Sequence, residues 1–102
     1  MTLRIGINGF GRIGRLALRA GWTNPDLEFV RINDPGGDAA TFAHLLQFDS
    51  VHGQWSGGGD DITATEGAIV VAGKRIAFSA YRDIADTDWS GCDVVIEASG
   101  KM

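Results

Sequence analysis

The spacing of apolar residues along the 102-residue chain changes period several times, and each change marks an element. Leu3 to Asn8 is a short apolar run that meets no turn residue before Gly9, and it reads as a buried strand. From Arg12 to Ala20 the period becomes helical. Ile13, Leu16, Ala17 and Ala20 share one face, and Arg12, Arg15 and Arg19 share another. Gly21 reads as the C-terminal stop of that helix, and Asn24-Pro25 as a turn. Leu27 to Asn33 is a second β-rich run, ended by Asp34-Pro35-Gly36-Gly37. Strand, glycine loop, helix and strand in about thirty residues make a βαβ unit with a right-handed crossover.

Asp38 is a suitable N-cap for a helix through Phe42, Leu45 and Leu46. After the glycine-rich segment Ser56–Asp61 come three short runs, Ile62–Thr65, Ala68–Val71 and Arg75–Ser79. Glu66-Gly67 and Ala72-Gly73 separate them. Those are hairpin signals, so this stretch is expected to leave the parallel order as an antiparallel excursion. Asp93 to Ala98 is an apolar run like the first strand and returns to the parallel sheet, where its outer edge is expected to lie open. The expected fold is α/β: a Rossmann-type, doubly wound, mostly parallel sheet with an antiparallel hairpin excursion.

Composition narrows the classes. The chain is 44% hydrophobic and 22% charged, which excludes a disordered tail. No run approaches the ~18 apolar residues of a membrane span. A net charge of −4 argues against non-specific nucleic-acid binding. A single cysteine, Cys92, excludes an internal disulfide framework and any multi-cysteine metal site. The N-terminal residues do not form a signal-peptide pattern, so a cytoplasmic location is expected.

The chemistry lies in Gly9-Phe10-Gly11-Arg12-Ile13-Gly14, a G-x-G-x-x-G. In a chain with 15 glycines the motif alone is weak, but its context is specific. It leaves a strand, opens a helix, and is followed twenty positions after Gly14 by Asp34 at the end of the next strand. Gly9 permits the tight turn, Gly11 lets backbone approach a pyrophosphate, and Gly14 lets helix and strand pack closely. The N–H groups of Arg12 and Ile13 would face the phosphates at the positive end of the helix dipole. Asp34 would accept from the hydroxyls of an adenosine ribose and repel a 2′-phosphate, which favours NAD over NADP. A solvated helix face accounts for the spacing of Arg12, Arg15 and Arg19 better than phosphate contact does.

Asn8 to Arg15 resembles the opening of the glyceraldehyde-3-phosphate dehydrogenase family. Ile32-Asn33-Asp34-Pro35, Ala43 to Gly53, Arg82-Asp83 and Glu97-Ala98-Ser99-Gly100 follow in that family's order. The resemblance implies that residues 1–102 form the N-terminal NAD-binding portion of a cytoplasmic, homo-oligomeric (tetrameric) oxidoreductase of glycolysis. Such an enzyme oxidises a sugar-phosphate aldehyde, passes hydride to NAD and phosphorylates the acyl group. It further implies that Asn8, Gly9, Phe10, Gly11, Arg12 and Ile13 cradle the pyrophosphate, with Gly14 completing the cofactor-binding motif. Asn33, Asp34 and Pro35 would border the adenosine, Arg82 the adenine side, and Ser99 and Gly100 the length of the cofactor.

The family's nucleophilic cysteine and histidine base lie in segments this sequence does not contain. Cys92 precedes a strand and reads as a small buried hydrophobe. His44 and His52 match positions outside that catalytic pair, where packing or loop bonding is expected. The Pro35–Asp38 loop and Gly53-Gln54-Trp55 look more like the branch associated with arsenic-resistance operons. Two alternatives stand beside this reading: a portion of an erythrose-4-phosphate dehydrogenase, and a free-standing, non-catalytic NAD-binding module. No catalytic residue and no metal site are assigned in this chain.

Overall fold

The computed structural model describes residues 2–48, 62–65 and 67–99. In chain order the elements are β1 (Leu3–Asn8), α1 (Arg12–Gly21), β2 (Leu27–Asn33), α2 (Ala39–Phe48), β3 (Ile62–Thr65), β4 (Ala68–Val71), β5 (Lys74–Ser79), a 3-10 turn (Ile84–Asp86) and β6 (Val94–Glu97). The strands form one sheet in the order β3-β4-β5-β2-β1-β6. Strands β5, β2, β1 and β6 run parallel, and β3-β4-β5 is an antiparallel meander. The expected hairpin excursion is therefore present, and β5 is its junction. That strand pairs antiparallel with β4 and parallel with β2, so α2 and the hairpin together form the crossover from β2.

The register shows which face is core. Ile7 lies opposite Ile32, and Ile32 opposite Phe78, so the three share one face of the sheet. The β1–β2 ladder shifts between Ile5 and Gly6, leaving Val30 as an extra residue on β2. The bulge puts Phe29 and Ile32, three positions apart, on the same face, where a regular strand would send them to opposite sides. Both helices pack on that face. Gly14 of α1 lies over Ile7, and the Phe42 ring of α2 meets Phe10 and Phe78 at centroid distances of 6.0 and 5.8 Å. On the opposite face Gly6 leaves room for the Trp89 ring and the Cys92 sulfur, and a Cβ there would stand 2.6 Å from Trp89 Cζ3.

Helix α1 forms where its period places it, but a different face is buried. Gly14 and Leu18 point into the core, whereas Ile13 is 64% and Leu16 42% exposed, and Ala20 is exposed too. The reason is the glycines. A Cβ at Gly14 would lie 2.2 Å from the Gly9 carbonyl oxygen, and one at Gly21 would lie 2.9 Å from Phe29 Cζ. Only the side lacking Cβ atoms can approach the sheet this closely, so Gly14, Leu18 and Gly21 set the contact and the apolar stripe is turned outward. Gly21 accordingly sits inside the helix rather than stopping it, and Trp22 closes the helix in a right-handed conformation.

The arginines are also partly redeployed. Arg12 is solvated, but Arg15 donates to the Phe10 carbonyl at 3.1 Å and Arg19 donates to the Leu46 carbonyl in the last turn of α2. A guanidinium there complements the negative end of that helix. At the other end of α2, Asp38 caps as expected, accepting from Thr41 N at 2.8 Å. Strand β6 pairs only with β1 among the described residues, and Val94 on it is 43% exposed.

Candidate functional site

All four parallel strands end in a polar residue: Ser79 on β5, Asn33 on β2, Asn8 on β1 and Glu97 on β6. Because the strands are parallel, these side chains meet at the carboxyl edge of the sheet, and they bond across it. The Asn33 amide nitrogen donates to Tyr81 O (2.9 Å) and to Asn8 Oδ1 (3.0 Å). Its carbonyl oxygen accepts from Ser79 Oγ (2.8 Å) and Tyr81 N (2.9 Å). Asn33 is 1% exposed and uses every donor and every lone pair it has, which is the condition for burying an amide at little cost. Asn8, 8% exposed, carries the chain onward by donating from Nδ2 to Glu97 Oε2 at 2.9 Å.

Beyond this polar row the backbone opens. Gly9 takes a φ of 95°, and a Cβ there would lie 2.4 Å from the Cα of Ser99, so both conformation and space demand glycine. Helix α1 then starts at Gly11 with no side-chain cap, and its first i→i−4 bond runs from Arg15 N to the Gly11 carbonyl. The first-turn N–H groups therefore point out of the helix at its positive end. No heavy atom lies within 4 Å of where a Cβ on Gly11 would be, so the approach to those groups is open.

Asp34 lies across from this turn. Its Oδ2 accepts from Phe10 N at 2.6 Å and its Oδ1 from Gly36 N at 2.7 Å, which ties the glycine turn to the loop after β2. A carboxylate offers about four lone-pair positions, and these amides take two. A cavity of about 380 Å³ fills the space between, lined by Asn8, Gly9, Asp34, Pro35, Gly36, Arg82, Ile84, Glu97 and Ser99. Its size falls within the range of small-molecule sites. The Glu97 carboxyl is held below the ordinary carboxylate range by the Ser99 hydroxyl first, then by the Ser99 N–H and the Asn8 amide, so it is ionised at neutral pH.

Of the residues singled out from sequence, Asn8, Gly9, Asp34, Pro35, Arg82 and Ser99 line this cavity. Gly11, Arg12 and Ile13 stand at the open helix start two to four residues past Gly9 and are not among the residues that line the cavity. Phe10 presents only its backbone, because its ring is fully buried in the core. Gly14 lies beneath the helix and Asn33 inside the polar row, so neither reaches the cavity surface. Gly100, His52 and the Asp49–Gly53 element lie outside the described residues. Cys92 sits on the face of the sheet away from the helices, half buried, and burial raises its thiol pKa, in keeping with a packing role. His44 is exposed on α2. Gly36, Ile84 and Glu97 line the cavity without having been singled out as site residues. The signal for Glu97 was its place as the polar end of an apolar strand, the same place that Asn8 and Asn33 occupy.

Among the described residues no helix is long and apolar enough to cross a membrane, and no group of three or more metal-ligating side chains comes together. The chain is 50% identical to glyceraldehyde-3-phosphate dehydrogenase 3 of Nostoc sp. over its whole length. It is 49% identical over 97% of its length to glyceraldehyde-3-phosphate dehydrogenase 1 of Bacillus cereus, and 45% identical over its whole length to the Geobacillus stearothermophilus enzyme. In each case it spans only 29–30% of the relative's own length. Residues 3–102 match the family described as "Glyceraldehyde 3-phosphate dehydrogenase, NAD binding domain". With a Rossmann-type sheet, a glycine turn opening an uncapped helix and a cavity at the carboxyl edge, the chain belongs to the glyceraldehyde-3-phosphate dehydrogenase family as an NAD-binding domain.

Proposed function

We propose that residues 1–102 form the N-terminal cofactor-binding portion of a glyceraldehyde-3-phosphate dehydrogenase-like oxidoreductase and hold NAD in the carboxyl-edge cavity. The observation that carries this reading is an open, uncapped α1 start tied through Phe10 N to Asp34, whose carboxylate lines the carboxyl-edge cavity together with Gly9. In this assignment the amides of Gly11, Arg12 and Ile13 bind the pyrophosphate, with Asn8, Gly9, Phe10 and Gly14 shaping the turn that presents them. The free lone pairs of Asp34 take the ribose hydroxyls. Pro35 and Arg82 border the adenine, Asn33 holds the edge on which they stand, and Ser99 and Gly100 follow the cofactor toward its nicotinamide end. NAD, when bound, supplies the hydride acceptor, and this chain's residues bind and orient it.

In this reading a longer protein supplies the nucleophile and base, acts on a sugar-phosphate aldehyde and assembles as a homo-oligomer. A cytoplasmic location and a place in glycolysis belong to the same reading. Calorimetric titration of NAD and NADP into the chain tests the cofactor site. Wild type should bind NAD in preference to NADP. Asp34→Ala should lose on the order of 1–3 kcal/mol of NAD affinity, as for a charge-assisted hydrogen bond, and narrow the gap to NADP. The chain alone, given NAD, phosphate and glyceraldehyde 3-phosphate, should make no NADH. An Asp34→Ala variant that binds NAD as wild type does would refute the ribose assignment.

A further inference from the structure

Glu97 is an odd residue to find in a cavity proposed to take a pyrophosphate. It is ionised, it lines the wall, and a bound pyrophosphate would be a like charge beside it. Its bonds explain its presence. Oε2 accepts from Asn8 Nδ2 and Oε1 from the Ser99 N–H, both at 2.9 Å. A row of amides can point either way unless its ends are fixed. At one end, Tyr81 offers a backbone N–H to the Asn33 oxygen and a backbone carbonyl to the Asn33 nitrogen, which sets Asn33. Asn33 then donates to Asn8 Oδ1, so Asn8 must turn its NH2 toward β6. There it needs a group that only accepts, and an ionised carboxylate is that group.

We propose that Glu97 is a positioning residue for dinucleotide binding. It fixes the Asn8 side chain with one oxygen and the Ser99 backbone with the other, so that the walls on either side of Gly9 hold one geometry. This rests on the NAD-binding reading above. Gly9 is pressed against Ser99 and Ala98, so a shift of the Ser99 segment shifts the turn that leads into α1. Glutamine can keep only one of the two N–H donors, even where its NH2 turns to the Ser99 hydroxyl. Its single oxygen can accept from Asn8 or from Ser99, and its NH2 then faces the other donor.

The design of the bonds supplies its own control. In Asn8→Asp/Glu97→Gln the acceptor moves to position 8, where it takes donors from Asn33 and from the new amide, while the amide oxygen keeps Ser99 N. NAD titration should show Glu97→Gln binding about tenfold more weakly than wild type, the cost of one unmade bond to a charged group. The double variant should recover most of that loss, and any fall in melting temperature seen in Glu97→Gln should be recovered with it. Wild-type affinity in Glu97→Gln overturns the proposal. So does a double variant no better than the single one, since remaking the bonds with the charge moved by one residue would then not restore binding. A wild-type chain that does not bind NAD removes the cofactor reading, and this proposal with it.

Discussion

Gly11 and Gly14 stand one helical turn apart in opposite surroundings. A side chain on Gly11 would meet no protein atom within 4 Å, whereas one on Gly14 would collide with the Gly9 carbonyl at 2.2 Å. Gly11→Val should therefore leave the melting temperature almost unchanged and abolish NAD binding, because its branches would fill the approach to the α1 amides. Gly14→Val should destabilise the fold by about 1–3 kcal/mol or more, the range for overpacking a closed contact. Thermal melts with and without NAD separate the two, and equal losses of stability and binding in both variants would sink the assignment. The close packing at Gly14 was legible in the spacing of the glycine motif. The place of Asn33 was not, because its position after an apolar run is equally compatible with contacting a ligand and with closing a polar row. Only the neighbouring strand ends decide, and sequence does not say which strands are neighbours.

The two helices show how far a periodic pattern reaches. Helix α2 begins where Asp38 predicted it would, since a cap is a local bond between a side chain and an amide three residues on. Helix α1 was legible in its extent but not in its orientation. Apolar residues at helical spacing suggested one buried face, and close packing through Gly14 and Gly21 selected another, leaving Ile13 and Leu16 outside. Asp38 also gives α2 a pH dependence. Its carboxyl lies below its ordinary pKa, chiefly through the Thr41 N–H and then the Thr41 hydroxyl. The folded form is thus the better acid, and the cap's contribution is complete above the ordinary carboxylate range of about 4 and is lost as pH falls through the lowered folded value. Glu97 and Asp93 shift in the same direction, so acid should act on all three. Circular dichroism melts across this window should show a smaller acid loss in Asp38→Asn, which keeps a capping oxygen without the titrating proton. A profile identical to wild type would mean that the cap carries no pH dependence.

At the scale of the whole molecule the sheet is covered unevenly. Both helices lie on one face, while the other carries Trp89 and Cys92 over Gly6, and β6 has a strand neighbour on one side alone among the described residues. The mostly parallel order and the antiparallel hairpin were legible from apolar runs and turn signals. The double role of β5 was not, because pairing with β2 depends on the crossover rather than on either strand's residues. An unpaired edge with Val94 exposed is a template for another strand, so this chain by itself should self-associate as concentration rises. Light scattering coupled to size exclusion would show it, and a strict monomer at all concentrations would show the edge to be protected.

The same strand sets a timetable. The hairpin strands pair with near neighbours in sequence, but the Asn8–Glu97 contact at the end of the β1–β6 ladder joins residues 89 positions apart. Long loops close late and open first, so β6 should be among the last segments to join and the first to leave. Yet Glu97 and Ser99 supply one wall of the cavity. A nucleotide that needs that wall binds only molecules in which β6 is docked, and so draws the docking equilibrium toward completion. Hydrogen exchange should then find the amides of Val94 to Glu97 slowed by NAD more than those of β3 and β4, which do not line the cavity. The cofactor, in that sense, acts as the last tie holding the sheet together.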